Sequence, residues 1–206
     1  MSLGKIEICN HALLKVGADT IASLDVAQAT DDGVIFSAKL CNVLFDQALV
    51  ETLRMYTWNS ATKRTQLTRL AEAPAFKYSY KYALPVDYIR LINLYDSTDA
   101  YDDGTEWSIE SGEILTDYDA AYLKYVAKPE DVSILDPLAQ QAVICNLAIK
   151  LAVPMQLDEK LQNNLLTELQ TIILPAARSI DTIENKNWDN EESNFLVSRN
   201  YSSPII

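Results

Sequence analysis

At 206 residues and 23.1 kDa the chain is sized for one domain, or for one domain with an arm, and it can bury roughly 70% of its unfolded surface without staples. Five glycines exclude glycine-rich phosphate loops, and neither G-x-G-x-x-G nor G-x-x-x-x-G-K-[ST] occurs; a single histidine, His11, excludes any two-histidine metal motif. A formal charge of −12 and a pI near 4.4 repel phosphates, which disfavours a surface built to grip DNA backbone.

In chain order, residues 3–16 are expected to form a helix. Ile6, Cys9, Leu13 and Val16 recur at spacings of 3, 4 and 3, and Gly17 supplies the stop. A connector over 18–28 carries Ile21 and Leu24. A long helix follows from about Gln28 to Tyr56, its stripe running Val34, Ala38, Cys41, Phe45, Ala48, Thr52, Met55. Leu40, Leu44 and Leu53 add a second stripe, and Gly33 is a weak point where the helix can begin instead. Trp58 to Leu70 has no clear period, and Pro74 ends it.

The period then changes to two. Phe76, Tyr78, Tyr80, Tyr82 and Leu84 alternate with Lys77, Ser79, Lys81 and Ala83, as in a half-buried strand with an aromatic face. Pro85 turns the chain into a strand from Tyr88 to Tyr95. Ile109 to Leu115 reads as a hairpin around Ser111-Gly112, and Ala121 to Val126 as a last strand. Asp136-Pro137 is an N-cap with Pro at N1, opening a helix over 137–153. A further helix over 157–184 contains Pro175 as a break or kink. Residues 185–206 have no helical period, and Trp188, Phe195, Leu196, Val197, Tyr201, Ile205 and Ile206 cannot bury one another well, so they read as a docking arm.

The expected fold class is therefore α+β: a mainly helical bundle with a small antiparallel β-sheet inserted in the middle and an extended C-terminal arm. The expected division is a helical bundle over 1–72 and 130–184, a β region over 73–129, and an arm over 185–206.

Cys9, Cys41 and Cys145 lie far apart without C-x-x-C and read as reduced buried thiols of an intracellular product. The start, Met1-Ser2-Leu3-Gly4-Lys5-Ile6-Glu7, has no apolar signal-peptide core. The stretch Ala142 to Met155 is the most apolar by this reading, but Asn146 and Lys150 interrupt it, so no membrane partner is expected. Charge is uneven. Residues 54–90 carry seven basic groups against two acids, and residues 91–123 carry nine acids and no Lys or Arg. That pattern fits either a solvated loop region or two opposite electrostatic ends suited to ordered stacking of subunits.

Signs of chemistry are few. Asp99-x-Tyr101-x-Asp103-Gly104 with Glu110 has calcium-loop spacing, but Tyr occupies position three and the flanks read as strands. Glu106, Glu110 and Glu113 could supply a glycosidase carboxylate pair, as could the acids of any acidic protein. Ser60-Ala61-Thr62-Lys63 matches S-x-x-K without its companion motifs. The tyrosines at 78, 80 and 82 fit either a base-stacking platform or core packing. No catalytic residue, cofactor or metal is assigned.

The ordered pieces do resemble a family. Cys9-Asn10-His11-Ala12-Leu13-Leu14-Lys15-Val16-Gly17, followed by Ile21 and Ser23-Leu24, is similar to the opening of the tail tubular protein A family. These are the head-to-tail adaptor, or connector, proteins of short-tailed bacteriophages. Trp58-Asn59-Ser60-Ala61-Thr62-Lys63-Arg64 resembles the family's Trp-Asn-Phe-Ala-x-x-Arg, with Ser60 in place of Phe. Leu84-Pro85-Val86-Asp87-Tyr88-Ile89-Arg90 resembles its Leu-Pro-x-Asp-x-x-Arg turn. Trp107, Gly112-Glu113-Ile114-Leu115-Thr116, Tyr125-Val126 and Leu135-Asp136-Pro137-Leu138 follow in order, so the likeness spans about residues 3–184.

The resemblance implies a virion structural protein and not an enzyme. It implies a homo-oligomeric ring, usually of roughly twelve copies, between the portal protein and the tail nozzle protein at the head-tail junction, assembled in the host cytoplasm. Genomic DNA would pass through the ring without specific binding. The arm residues named above would reach the portal. The acidic group of Asp99, Asp102, Asp103, Glu106, Glu110 and Glu113 would face the nozzle or the lumen. The alternative is a tail-associated cell-wall or polysaccharide hydrolase.

Overall fold

The structure is a computed structural model that describes residues 3–25, 31–97 and 106–184. It is α+β. The elements are α1 (Lys5–Lys15), α2 (Asp32–Met55), β1 (Thr62–Gln66), β2 (Tyr80–Ala83), β3 (Tyr88–Tyr95), β4 (Trp107–Glu110), β5 (Glu113–Thr116), β6 (Tyr122–Ala127), α3 (Pro137–Ala152), α4 (Glu159–Glu168) and α5 (Leu174–Glu184).

α1 ends as expected. Gly17 takes φ 74°, its N–H bonds the carbonyl of Leu14, and the N–H of Ala18 bonds that of Leu13. The buried stripe is Ile8, Cys9, Ala12 and Leu13, and Ile6 turns outward, so the expected stripe is rotated by part of a turn. α2 begins later than Gln28. Asp31 caps it, with Oδ1 accepting from Gly33 N at 2.8 Å and Val34 N at 3.2 Å. Gly33 thus sits in the first turn, where a Cβ would stand 3.1 Å from that same oxygen.

α3 is buried on nearly every side, which marks it as the central helix. It packs against α1, α2 and α4. Its alanines at 139, 142, 148 and 152 let neighbours approach closely. Sequence apolarity points to Ala142–Met155, but it is α2 that is long and apolar enough, by length and composition, to cross a membrane. In this fold its buried side faces the core through Ala38, Cys41, Phe45, Ala48, Leu49 and Leu53.

Pro175 does not break the last helix. It has no N–H to offer residue 171, and the chain absorbs the misfit with a π-helical turn over Leu169–Ile173 that joins α4 to α5.

The β region departs from the expected single sheet. Two three-stranded antiparallel sheets form, ordered β1-β6-β3 and β2-β5-β4. β3 does not fold back on β2, because after the Pro85 turn it pairs with β6 instead. The stretch after β1 links the sheets: Leu67 N bonds Ala121 O, and then Leu70 N bonds Lys81 O beside β2. β1 itself falls in the aperiodic stretch after Trp58. The strand expected from Phe76 starts only at Tyr80, because Lys77 has φ 71° and Phe76 lies 82% exposed. Ser111 and Gly112, at φ 52° and 82°, make the hairpin turn between β4 and β5.

Two cores result. The larger joins the helices to Trp58, Ile89, Val126, Val132 and Leu135. The smaller gathers Leu67, Tyr82, Leu94, Ile114, Tyr118, Leu123 and Tyr125 within the β region.

Asp87 clips the turn before β3 to its surroundings. Lys63 Nζ lies 2.6 Å from Oδ2, and the Tyr125 hydroxyl donates to Oδ1 at 2.9 Å. Burial pushes the Asp87 carboxyl up, but the bonds from Lys63 and Tyr125 outweigh it and hold the group below its ordinary 3.8. Burial, and then the bond to Asp87, push the Tyr125 phenol up to about 12. A depressed folded value means this clip stabilises above the ordinary aspartate range and is lost as pH falls through the folded value. Asp87→Asn is expected to remove that acid-side loss. It should also bring the Tyr125 titration, followed by tyrosinate absorbance, back toward its ordinary 10.

Candidate functional site

Three places on the molecule combine position, charge and exposure in ways that could serve function. The first is the root of α5, which leads toward residue 185. Asp181 is only 5% exposed, and its Oδ2 has no hydrogen-bond partner. Asn59 Nδ2 donates to the backbone carbonyl of Asp181 at 3.4 Å, and Tyr56 hydrogen-bonds the carboxyl. The Arg178 guanidinium stands 5.8 Å from the Tyr56 ring centre. Across the joint, Asp136 caps α3, with Oδ1 accepting from Leu138 N and Ala139 N and Oδ2 from Ser60 Oγ at 3.0 Å. Burial first, then the charge of Asp136, raise the Asp181 carboxyl above its ordinary value.

A raised carboxylate stabilises in its protonated form. Its contribution is full below the ordinary pKa and is lost as pH rises through the folded value. Asp181→Asn is therefore expected to melt higher than the parent at pH 7, with the two melting temperatures converging as the pH is lowered toward 4. A pH series of thermal melts checks this, and an unchanged gap across the series would count against it.

The second place is an open cleft of about 820 Å³ where the bundle meets the β region. Phe45, Leu49 and Val132 form its apolar lining, with Lys5 and Lys128 facing Asp46, Asp87, Glu130 and Asp131. Lys5 Nζ sits 4.7 Å from the Phe45 ring centre, and Lys128 lies 3.5 Å from Asp46. Val86, at the rim, is fully exposed.

The third is the β region's charge. Among the described residues the basic and acidic runs partly interleave. Lys77 pairs with Glu106 at 3.0 Å, Lys81 with Glu113 at 3.5 Å, and Arg69 with Asp119 at 3.0 Å, so these three cations of the basic run meet acids of the other, while Arg54, Arg64 and Arg90 have no ion pair among the described residues. Glu110 and Glu113 line one shallow groove with Lys77, Lys81 and Pro74. Glu106 is not among its lining residues. Among the described residues no three His, Cys, Asp or Glu side chains are grouped to hold a metal.

The remaining sequence candidates fall into structural roles. Ser60 and Lys63 turn to different partners, Asp136 and Asp87. Tyr82 is buried, and Tyr80 lies under the Arg69 guanidinium at 3.8 Å. All three cysteines are buried and free. Cys9 and Cys41 hydrogen-bond each other, and that bond together with burial holds the Cys9 thiol well above its ordinary value. Burial pushes Cys145 up to about 11. The Cys9–Cys41 bond lowers the Cys41 thiol, but with no exposed surface on any of the three thiols none is open to a reactant. His11 is exposed in a groove between α1 and the start of α3, beside Leu3, Leu14 and Gln140.

Asp99, Asp102 and Asp103, with the rest of the calcium-like loop before Glu106, lie outside the described residues. So do Trp188, Phe195, Leu196, Val197, Tyr201, Ile205 and Ile206. Sequence reasoning missed Asp181, which has no motif around it. It also missed the exposed apolar positions Phe36, Val43, Ile172 and Ile183, because a helical stripe does not say which side meets solvent. No protein-family model matches the chain, and no curated protein does.

Proposed function

We propose that the chain is a head-to-tail adaptor of the tail tubular protein A type, a ring-forming virion protein placed between a portal and a tail nozzle. The observation that carries the reading is the ordered set of motif pieces from Cys9 to Leu138. Their setting supports it, because several of the pieces work as joints. Asn10 clasps Ile21 through both backbone groups, at 2.8 and 3.0 Å. Trp58 fills the bundle core, Asp87 clips the strand turn, and Asp136 caps the central helix. Ser60, where the family usually has Phe, hydrogen-bonds that same cap.

Exposed apolar side chains add support. Val43 on α2 is 73% exposed, Val153 after α3 is 66%, and Ile183 on α5 is 75%. Scattered over several elements, they suit a subunit that meets neighbours on more than one side. The acidic composition suits a conduit, since such a wall does not hold DNA. The contacts between neighbours would be heterologous and closed by rotation. The free chain is expected to be monomeric at dilute concentration, with the arm from residue 185 reaching the portal.

The test is electron microscopy of the purified chain alone and mixed with the portal protein encoded in the same genome. Rings expected only with portal, and weakened by removal of residues 185–206, support the adaptor and the arm together. A chain that never joins a portal ring overturns the reading. The next assay is then hydrolysis of cell-wall and capsular polysaccharides by the parent and by a Glu106→Gln/Glu110→Gln/Glu113→Gln variant.

A further inference from the structure

The register of the two sheets places like charges directly opposite each other twice, with opposite signs. In the first sheet Arg64 on β1 faces Lys124 on β6. In the second, Glu110 on β4 faces Glu113 on β5 across the Ser111-Gly112 turn. Like charges opposite each other in a sheet destabilise it. One such pair is a local cost; two of opposite sign on one chain are complementary.

Nothing among the described residues neutralises the basic pair. Among the described residues, no ion pair involves Arg64, Lys124, Arg90 or Arg54. Arg64 and Lys124 line a groove of about 270 Å³ with Gln66, Tyr95, Tyr122 and Ser97, and among the described residues no carboxylate belongs to its wall. Arg90 lies in the next row of that sheet, opposite Val126. Arg54 reaches it from the end of α2, its Nη1 donating to the Ile89 carbonyl at 3.1 Å, and Arg90 returns a bond to the Arg54 carbonyl. The result is a row of four cations on a protein of net charge −12.

The acidic pair is only half answered. Glu113 shares Lys81 with Glu72, and among the described residues the Glu110 carboxylate accepts only from Ser108 Oγ, at 3.0 Å. β4 is an edge strand, with Trp107 40% and Ile109 37% exposed beside it. An edge strand with an acidic tip and flanking apolar groups is equipped to meet another surface.

We infer that the β4–β5 hairpin of one copy docks on the Arg64–Lys124 sheet face of the next, so that the acidic pair of one chain neutralises the basic pair of its neighbour. The occupant is a second copy of this chain rather than a nucleic acid, because the overall charge opposes a polyanion while the hairpin presents the required carboxylates locally. The contact is heterologous. A docked pair keeps one free hairpin and one free basic face, so the contact propagates and can close into a ring. It rests on the ring reading above and names the interface that reading requires.

The experiment is sedimentation velocity on the full chain at low salt, over a concentration series reaching about millimolar. Three preparations are compared: the parent, Arg64→Glu/Lys124→Glu, and Glu110→Lys/Glu113→Gln. The parent is expected to associate weakly and reversibly, less so as salt rises. Each variant alone should associate about tenfold more weakly, and an equimolar mixture of the two should recover to within about threefold of the parent. Recovery on mixing is the signature of a hairpin-to-face contact, since the intact hairpin of one variant then meets the intact basic face of the other, and the reversed hairpin meets the reversed face. Arg64→Gln/Lys124→Gln, which only removes charge, should fall between parent and reversal, and near-ultraviolet circular dichroism verifies the fold of each.

Association unchanged by the reversals, no recovery on mixing, or a parent that stays monomeric throughout overturns the contact. So does salt-sensitive duplex DNA binding that depends on Arg64 and Lys124 while self-association does not. If the swap fails but portal still gathers the parent into rings, the contact alone is wrong. If the swap succeeds and portal gathers nothing, the adaptor reading alone is wrong.

Discussion

Trp58→Ala is expected to destabilise the fold by about 3–5 kcal/mol, among the largest effects of any single truncation in this chain. The side chain is fully buried, and its Nε1 donates to the Thr52 carbonyl at 2.9 Å, near the end of α2 where that helix has few internal partners left. Its ring meets Tyr56 edge to face at 5.2 Å. Truncation therefore opens a cavity, orphans a helix-end carbonyl and loosens Tyr56, which hydrogen-bonds the otherwise under-partnered Asp181. For a chain of this length each kcal/mol shifts the melting temperature by about 2–4 °C, so a fall of roughly 10 °C is expected. Urea unfolding checks the free energy, and a loss below about 1 kcal/mol would refute the assignment of Trp58 as the keystone between α2 and β1. Trp58→Phe keeps most of the packing and isolates the hydrogen bond, for an expected loss of about 1–3 kcal/mol.

The joints around Trp58 also show what the sequence made legible. Where a local rule decides the structure, the expectation and the coordinates agree: Gly17 stops α1, Asp136-Pro137 opens α3, and Ser111-Gly112 turns the hairpin. Tyr88–Tyr95 matches to the residue because Pro85 fixes its start and eight residues favour a strand. Long-range choices were not legible. Period-two alternation from Phe76 fits a strand, but it cannot reveal that Lys77 takes a left-handed conformation and starts the pairing late. Nor can it say that β3 prefers β6 to its sequence neighbour β2, which splits one expected sheet into two. Charge runs misled in part for the same reason. Blocks separated along the chain meet across β2 and β5, so Lys81 and Glu113 cancel where the sequence shows two poles. Asp181 sits in an ordinary helical stretch, and only its burial distinguishes it.

Function at the level of residues follows from the same division. Several motif pieces that resemble the adaptor family occupy joints, and joints fix the relative placement of surfaces. On the adaptor proposal, the chain works through what its rigid parts present to neighbours. The cross-strand pairs Arg64–Lys124 and Glu110–Glu113 are such presented features, since each costs stability within its own sheet.

Tyr82→Ala carries the second large expected loss, about 3–5 kcal/mol, and it bears on whether the two cores are held together or separately. Tyr82 is 1% exposed at the centre of the smaller core, against Ile114 and Leu123. Its hydroxyl lies 2.7 Å from both the Tyr118 and the Asp119 carbonyls, so one proton is shared between two acceptors in the loop before β6. Tyr82→Phe leaves the ring in place and both carbonyls without that donor, for an expected loss of about 1–3 kcal/mol. The larger truncation should not spread evenly. β6 is the shared wall: Leu123, Tyr125 and Ala127 belong to the smaller core, and Val126 to the larger. α3, whose contacts lie within the bundle, has no residue in the smaller core. Amide hydrogen exchange of Tyr82→Ala is therefore expected to show protection falling first and furthest in β2, β4 and β5, less in β6, and least in α3. An equal fall in α3 would mean that the strands of the β1-β6-β3 sheet transmit the whole loss. The hairpin could not then loosen or reseat against a neighbour without unfolding the bundle that carries it.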